Sequence, residues 1–166
     1  MRKLISIPVL LAALMLQMVA VSRLRLIGGS ADLVLMVLIA WGMQEQVKDL
    51  WVWVVVASLM TSFVSALPVF AVVAGYLFAA FFIWFLKQQV WQSPILAMFL
   101  ATAVSTLVQN LASIFALQIS GSPISFSEGF NLVTVPSMLL NFLLVLPLYA
   151  LFTDLAGFVY PVEEVV

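Results

Sequence analysis

The chain contains no cysteine and no histidine, and only 8% of its 166 residues carry a charge. Without cysteine there is no disulfide framework and no thiol nucleophile. Without histidine the commonest general base and metal ligand are missing. A Ser–His dyad, an H-E-x-x-H zinc site and a haem held by histidine are thereby excluded. A net charge of −1 gives no reason to expect nucleic acid as a partner.

The scarce charge is also unevenly placed. It falls at 2, 3, 23, 25, 32, 45, 48, 49, 87, 128, 154, 163 and 164, leaving uncharged stretches at 4–22, 33–44, 50–86, 88–127 and 129–153. What fills those stretches is apolar, 66% of the whole chain. No water-soluble domain of this size could cover such a surface with polar groups. A bilayer core is about 30 Å thick and needs about 20 apolar residues per helical crossing, so the chain has room for about six spans. The expected fold is an all-α integral membrane protein, a six-transmembrane-helix bundle in one domain covering 1–166.

The spans are expected at about 4–22, 31–44, 50–66, 69–86, 94–118 and 132–158. Met1-Arg2-Lys3 and the apolar run after it resemble the start of a signal peptide. The run is longer than a usual h-region and no small-x-small cleavage site follows it convincingly, so a retained first helix is expected. Arg23 and Arg25 end that helix, and Gly28-Gly29-Ser30 links it to the next. Ser30 is placed to cap the second span, with Asp32 in its first turn, where a carboxylate suits the positive end of the helix dipole. That span is short, about 21 Å at 1.5 Å per residue, so it thins the bilayer, tilts little or is sheltered by its neighbours.

The run 50–86 is too long for one crossing. Pro68 near its middle predicts a tight hairpin. Pro94 suits the first turn of the fifth span. Residues 119–131 form the one sizeable loop, and Pro147 is expected to kink the sixth span. With six spans both termini share a side. Arg2, Lys3, Lys48 and Lys87 on that side outnumber Arg23 and Arg25 on the other, which puts both termini in the cytoplasm. Trp51, Trp53, Trp84, Trp91, Tyr149 and Tyr160 near span ends read as an interfacial belt.

Polar residues inside the spans recur on single faces. The fifth span has Thr102, Ser105/Thr106, Gln109 and Ser113, with Asn110 beside them. The sixth has Thr134, Ser137 and Asn141, the third has Ser58, Thr61/Ser62 and Ser65, and the first has Gln17. A polar group without a partner is costly in hydrocarbon, so these faces turn inward and meet. They either line a cavity for a small molecule or ion, or bond helix to helix. Ala71, Gly75 and Ala79 form a small-x-x-x-small ridge on the fourth span, where another helix of this chain or of a partner can approach closely. Asp32 and Asp154 lie near opposite span ends. Each is either a functional intramembrane acid or a boundary residue reached by water. So far apart, they cannot form a paired-carboxylate site.

At the last span the sequence becomes distinctive. Val135-Pro136-Ser137-Met138-Leu139-Leu140-Asn141, followed by Leu146-Pro147-Leu148-Tyr149, resembles the final helix of the MreD family of rod shape-determining proteins. Leu16-Gln17, Ala31-Asp32-Leu33-Val34-Leu35, Leu67-Pro68 with Gly75-Tyr76-Leu77, and Ser93-Pro94 resemble other segments of that family in the same order. Ala31 stands where proline is usual, and 87–92 is less basic than is common. The resemblance implies a non-enzymatic scaffold of the bacterial cytoplasmic membrane, without a cofactor. It would pair directly with MreC and sit in one complex with RodA and a penicillin-binding transpeptidase. Cytoplasmic MreB filaments would be reached indirectly, and membrane lipid surrounds the bundle. The family's bundle is similar to the substrate-binding subunits (S-components) of energy-coupling-factor vitamin transporters. A small-molecule-binding transporter subunit is therefore the alternative. An enzyme would have to rely on Ser, Lys or Asp alone, and neither Lys48 nor Lys87 has a serine placed beside it by sequence.

Overall fold

The computed structural model describes residues 5–19, 29–89, 94–121 and 125–160. The expectations attached to Arg2, Lys3, Arg23, Arg25, Gly28, Trp91, Ser93 and the acidic tail lie outside these residues. Seven helices are described: α1 (Ser6–Val19), α2 (Leu33–Gly42), α3 (Leu50–Val64), α4 (Val69–Gln88), α5 (Pro94–Ile119), α6 (Phe126–Gly129) and α7 (Val135–Val159). A π-helical turn, Phe130–Thr134, joins α6 to α7. Six apolar helices make an all-α membrane bundle, with the short α6 leading into the last. Three segments are long and apolar enough to cross a membrane: Val69–Gln88, Pro94–Ile119 and the continuous run Phe126–Val159. The apolar helices α1, α2 and α3 are shorter.

α2 is the axis of the bundle. It packs against α1, α3, α4, α5 and α7, and every residue from Val34 to Gly42 is buried. Its ten residues reach about 15 Å, half a bilayer core. Residues 29–32, which precede it, are not helical. Bare backbone at membrane depth is tolerated only where protein or a cavity surrounds it. Of the ways foreseen for so short a second span, shelter by neighbouring helices fits the burial of Val34–Gly42.

Local chemistry sets the other boundaries. Pro68 is the N-cap of α4 and Pro94 opens α5, where a missing N–H costs nothing. Two expectations are corrected. Residues 126–131 are helical rather than loop. There Ser125 and Glu128 form a reciprocal capping box, which satisfies two free N–H groups at once. The N-cap of α2 is Asp32 rather than Ser30. The π-turn ends just before Pro136, and the Val135 N–H donates back to the Phe130 carbonyl. A proline ring clashes with the carbonyl four residues before it in a regular helix, and the wider turn makes room. Pro147 lies inside α7, which continues to Val159.

Lipid is as apolar as leucine, so burial among these helices contributes packing rather than escape from water. Tight fits and polar bonds therefore decide the arrangement. One such fit is aromatic. Trp41 and Trp53, both fully buried, stack with centroids 4.5 Å apart, and Phe152 meets Trp41 edge-on at 6.0 Å. Trp53 therefore belongs to the core and not to the interfacial belt. Trp51 and Trp84 are exposed, as a belt requires.

Candidate functional site

The polar faces of four helices converge on the start of α2. A helix leaves its first N–H groups without internal partners, and here they are partly buried. Side chains accept from four N–H groups in this segment. Ser137 Oγ on α7 accepts from the Ser30 N–H at 3.1 Å. Asn141 Oδ1, one turn further along α7, accepts from the Asp32 N–H at 3.0 Å. Gln17 Oε1 on α1 accepts from the Val34 N–H at 3.1 Å. Asp32 Oδ1 accepts from the Leu35 N–H at 3.0 Å, which makes it a side-chain N-cap.

These bonds extend outward. Asn141 Nδ2 donates to Thr106 Oγ1 on α5 at 2.9 Å. The Tyr76 hydroxyl on α4 donates to Asp32 at 3.1 and 3.3 Å, and Thr61 on α3 donates to that hydroxyl at 3.4 Å. Gly29 permits the close approach to α7. A Cβ there would stand 2.7 Å from both Pro136 Cβ and the Ser137 backbone nitrogen. The Pro136-Ser137-x-x-x-Asn141 segment is thus a receiver for the backbone of 29–32: Pro136 meets Gly29, Ser137 takes Ser30, and Asn141 takes Asp32.

The opposite end of α2 is held by a cation. Lys87 Nζ donates to the carbonyls of Gln44 at 2.7 Å and Val47 at 3.0 Å, where the helix dipole is negative. Gln44 Nε2 bonds the Ala40 carbonyl and Thr153 Oγ1 at 3.1 and 3.2 Å. The Tyr160 hydroxyl donates to Asp49 at 3.0 Å.

The small-residue ridge serves the chain itself. Ala71, Gly75 and Ala79 are all buried, and α4 packs most extensively on α5. A Cβ on Gly75 would collide with Gln109 Oε1, so this glycine lets the α5 amide lie directly on α4. The remaining polar residues divide. Ser62 and Thr102 return their hydroxyls to carbonyls of their own helices at 2.6 and 2.9 Å. Ser105 Oγ, Gln109 Oε1 and Thr134 Oγ1 are buried without a partner among the described residues. Asp154 is exposed.

Beside the start of α2 lies a cavity of about 300 Å³, lined among others by Gln17, Asp32, Thr61, Gln109 and Asn110. Of the inward polar groups, Gln17, Thr61, Thr106, Ser137 and Asn141 bond other segments of the chain, Ser58, Ser62, Thr102 and Ser113 bond their own helices, and some border the cavity. Sequence reasoning missed Tyr76 as a partner of Asp32, Lys87 as the pin of α2, and Gln44. The signals were present: Tyr76 is a phenol inside an apolar span, and a hydroxyl there needs a partner. Compared with protein-family models, with curated proteins and with solved structures, the chain matches none.

Proposed function

We propose that the chain is a non-enzymatic scaffold of the bacterial cell-elongation machinery. In this reading it lies in the cytoplasmic membrane with both termini inside, binds MreC directly, and shares a complex with RodA and a penicillin-binding transpeptidase. Through that complex it helps couple MreB filaments to peptidoglycan synthesis. The observation that carries the reading is the spatial meeting of six of the residues that carry the family resemblance. Gln17, Asp32, Tyr76, Pro136, Ser137 and Asn141 come from four distant segments and form one bonded cluster around α2.

The chemistry of the polar groups supports a structural role. Of the two lysines an enzyme reading would use, Lys87 already donates to two backbone carbonyls. Affinity purification of the tagged chain from native membranes tests the reading. MreC should co-purify in near-stoichiometric amount; its absence, with the bundle intact, would overturn the proposal. The second reading, a small-molecule-binding transporter subunit, is favoured by one feature, the cavity beside Asp32. In that case a metabolite should remain with the purified protein, and loss of the gene should abolish uptake of a nutrient.

A further inference from the structure

The end of the bundle opposite the Asp32 cluster carries a recess of its own, about 350 Å³ in volume, between the start of α3 and the end of α4. Glu45, Lys48, Trp51, Trp84, Lys87 and Gln88 are among the residues that line it. Lys87 gives two of its N–H groups to the carbonyls of Gln44 and Val47. An ammonium has three, so Lys87 keeps one donor for a further acceptor. Lys48 is exposed and brings a second ammonium to the same recess. Glu45 is the one acid among the described lining residues. Asp49, next to Lys48, accepts instead from the Tyr160 hydroxyl. Two ammonium groups against one carboxylate leave the recess one positive charge in excess.

The walls match a lipid rather than a free ion. Trp51 and Trp84 are exposed, and indoles near span ends sit at the level of the headgroups. From each an apolar stripe runs along its helix away from the recess: Trp51, Val55 and Leu59 on α3, and Trp84, Phe81 and Leu77 on α4, all exposed. Spacings of three and four keep each stripe on one helix face. A small anionic head with long apolar tails fits both parts, and basic pockets between membrane helices commonly take such heads. We propose that the recess binds an anionic phospholipid of the phosphatidylglycerol class. Its phosphodiester lies between the Lys48 ammonium and the third N–H of Lys87, and its acyl chains follow the two stripes. A headgroup with a single negative charge cancels the excess charge of the recess; zwitterionic phosphatidylethanolamine or phosphatidylcholine leaves it standing. The volume is at the small end of ligand pockets and admits a phosphoglycerol head. The proposal goes beyond the scaffold reading and does not rest on it.

The test offers the full chain, purified in detergent, an equimolar mixture of phosphatidylglycerol, phosphatidylethanolamine and phosphatidylcholine with matched acyl chains. Bound lipid is counted by native mass spectrometry. Phosphatidylglycerol should be retained about fivefold or more over the other two, the order set by one basic side chain at an anionic lipid surface. Lys48→Gln should lower its retention about fivefold, and Glu45→Gln should raise it by a similar factor. Asp154→Asn removes an exposed acid that does not line the recess and should change nothing. Soluble glycerol phosphate, which has the head and no tails, should not displace the lipid. Circular dichroism establishes that each variant is folded. Equal retention of the three lipids would overturn the proposal, as would a folded Lys48→Gln protein with the wild-type preference. An Asp154→Asn effect as large as that of Glu45→Gln would reduce the preference to bulk charge and overturn it too. Displacement by glycerol phosphate would replace the lipid with a free phosphate ester.

Discussion

Replacing Gly29 by alanine adds a single methyl group, and the structure says where it must go. It would stand 2.7 Å from Pro136 Cβ and from the Ser137 backbone nitrogen, and 3.0 Å from the Pro136 carbonyl carbon. Two of those three atoms are backbone and the third is a proline ring, so no rotamer change relieves the contact. The segment 29–32 has to move off α7, and the Ser30–Ser137 bond at 3.1 Å goes with it. Overpacking of a fitted core costs about 1–3 kcal/mol, and one lost hydrogen bond about 1 kcal/mol. The sum, about 2–4 kcal/mol, lowers the folding equilibrium roughly 30- to 800-fold. The assay is unfolding in mixed detergent–dodecyl sulfate micelles, followed by tryptophan emission from the stacked Trp41–Trp53 pair. Gly157→Ala is the control: nothing lies within 4 Å of the Cβ it would add, and inside α7 alanine should be neutral or stabilising by up to about 1 kcal/mol. A Gly29→Ala protein within about 0.5 kcal/mol of wild type, the range of an ordinary surface change, would refute the close fit of 29–32 against α7.

Other perturbations probe the same design. Asn141→Leu leaves the Asp32 N–H and the Thr106 hydroxyl without their partner and should destabilise by about 1–3 kcal/mol in the same titration. Tyr76→Phe keeps the ring and removes only the hydroxyl between Asp32 and Thr61. It should cost about 0.5–1.5 kcal/mol. Lys87→Met keeps the length of the side chain but frees the carbonyls of Gln44 and Val47. Hydrogen exchange should quicken around 43–47 and stay unchanged at 33–36. Gly75→Leu drives a side chain into Gln109 and should lower stability by about 1–3 kcal/mol through the α4–α5 contact, read from the same unfolding curve.

Charge placement and proline made most of the helix boundaries legible. Runs empty of charge mark what lies in lipid, and Pro68 and Pro94 mark where helices begin, because both signals act over a few residues. The inward direction of the polar stripes was legible for the same reason that fixes it: an unpaired amide is expensive in hydrocarbon. Which amide meets which backbone group was not. Ser137 and Ser30 are 107 residues apart, and Asn141 and Asp32 are 109 apart. No local pattern encodes that pairing. Residues 126–131 read as loop because Ser, Gly and Asn are weak helix formers in isolation. A capping box and a long apolar helix behind it overrule that preference. The ridge on α4 announced a close approach, and only the three-dimensional fit against Gln109 showed that the approaching helix is the chain's own α5.

The central claim, a scaffold for cell elongation, is tested most directly by depletion in the native host with cell shape and nutrient uptake measured together. The account predicts that rods widen and round while uptake is unchanged. It also predicts that shape is restored by the wild-type chain and not by Gly29→Ala. Rods that keep their width while uptake of one nutrient fails would contradict it.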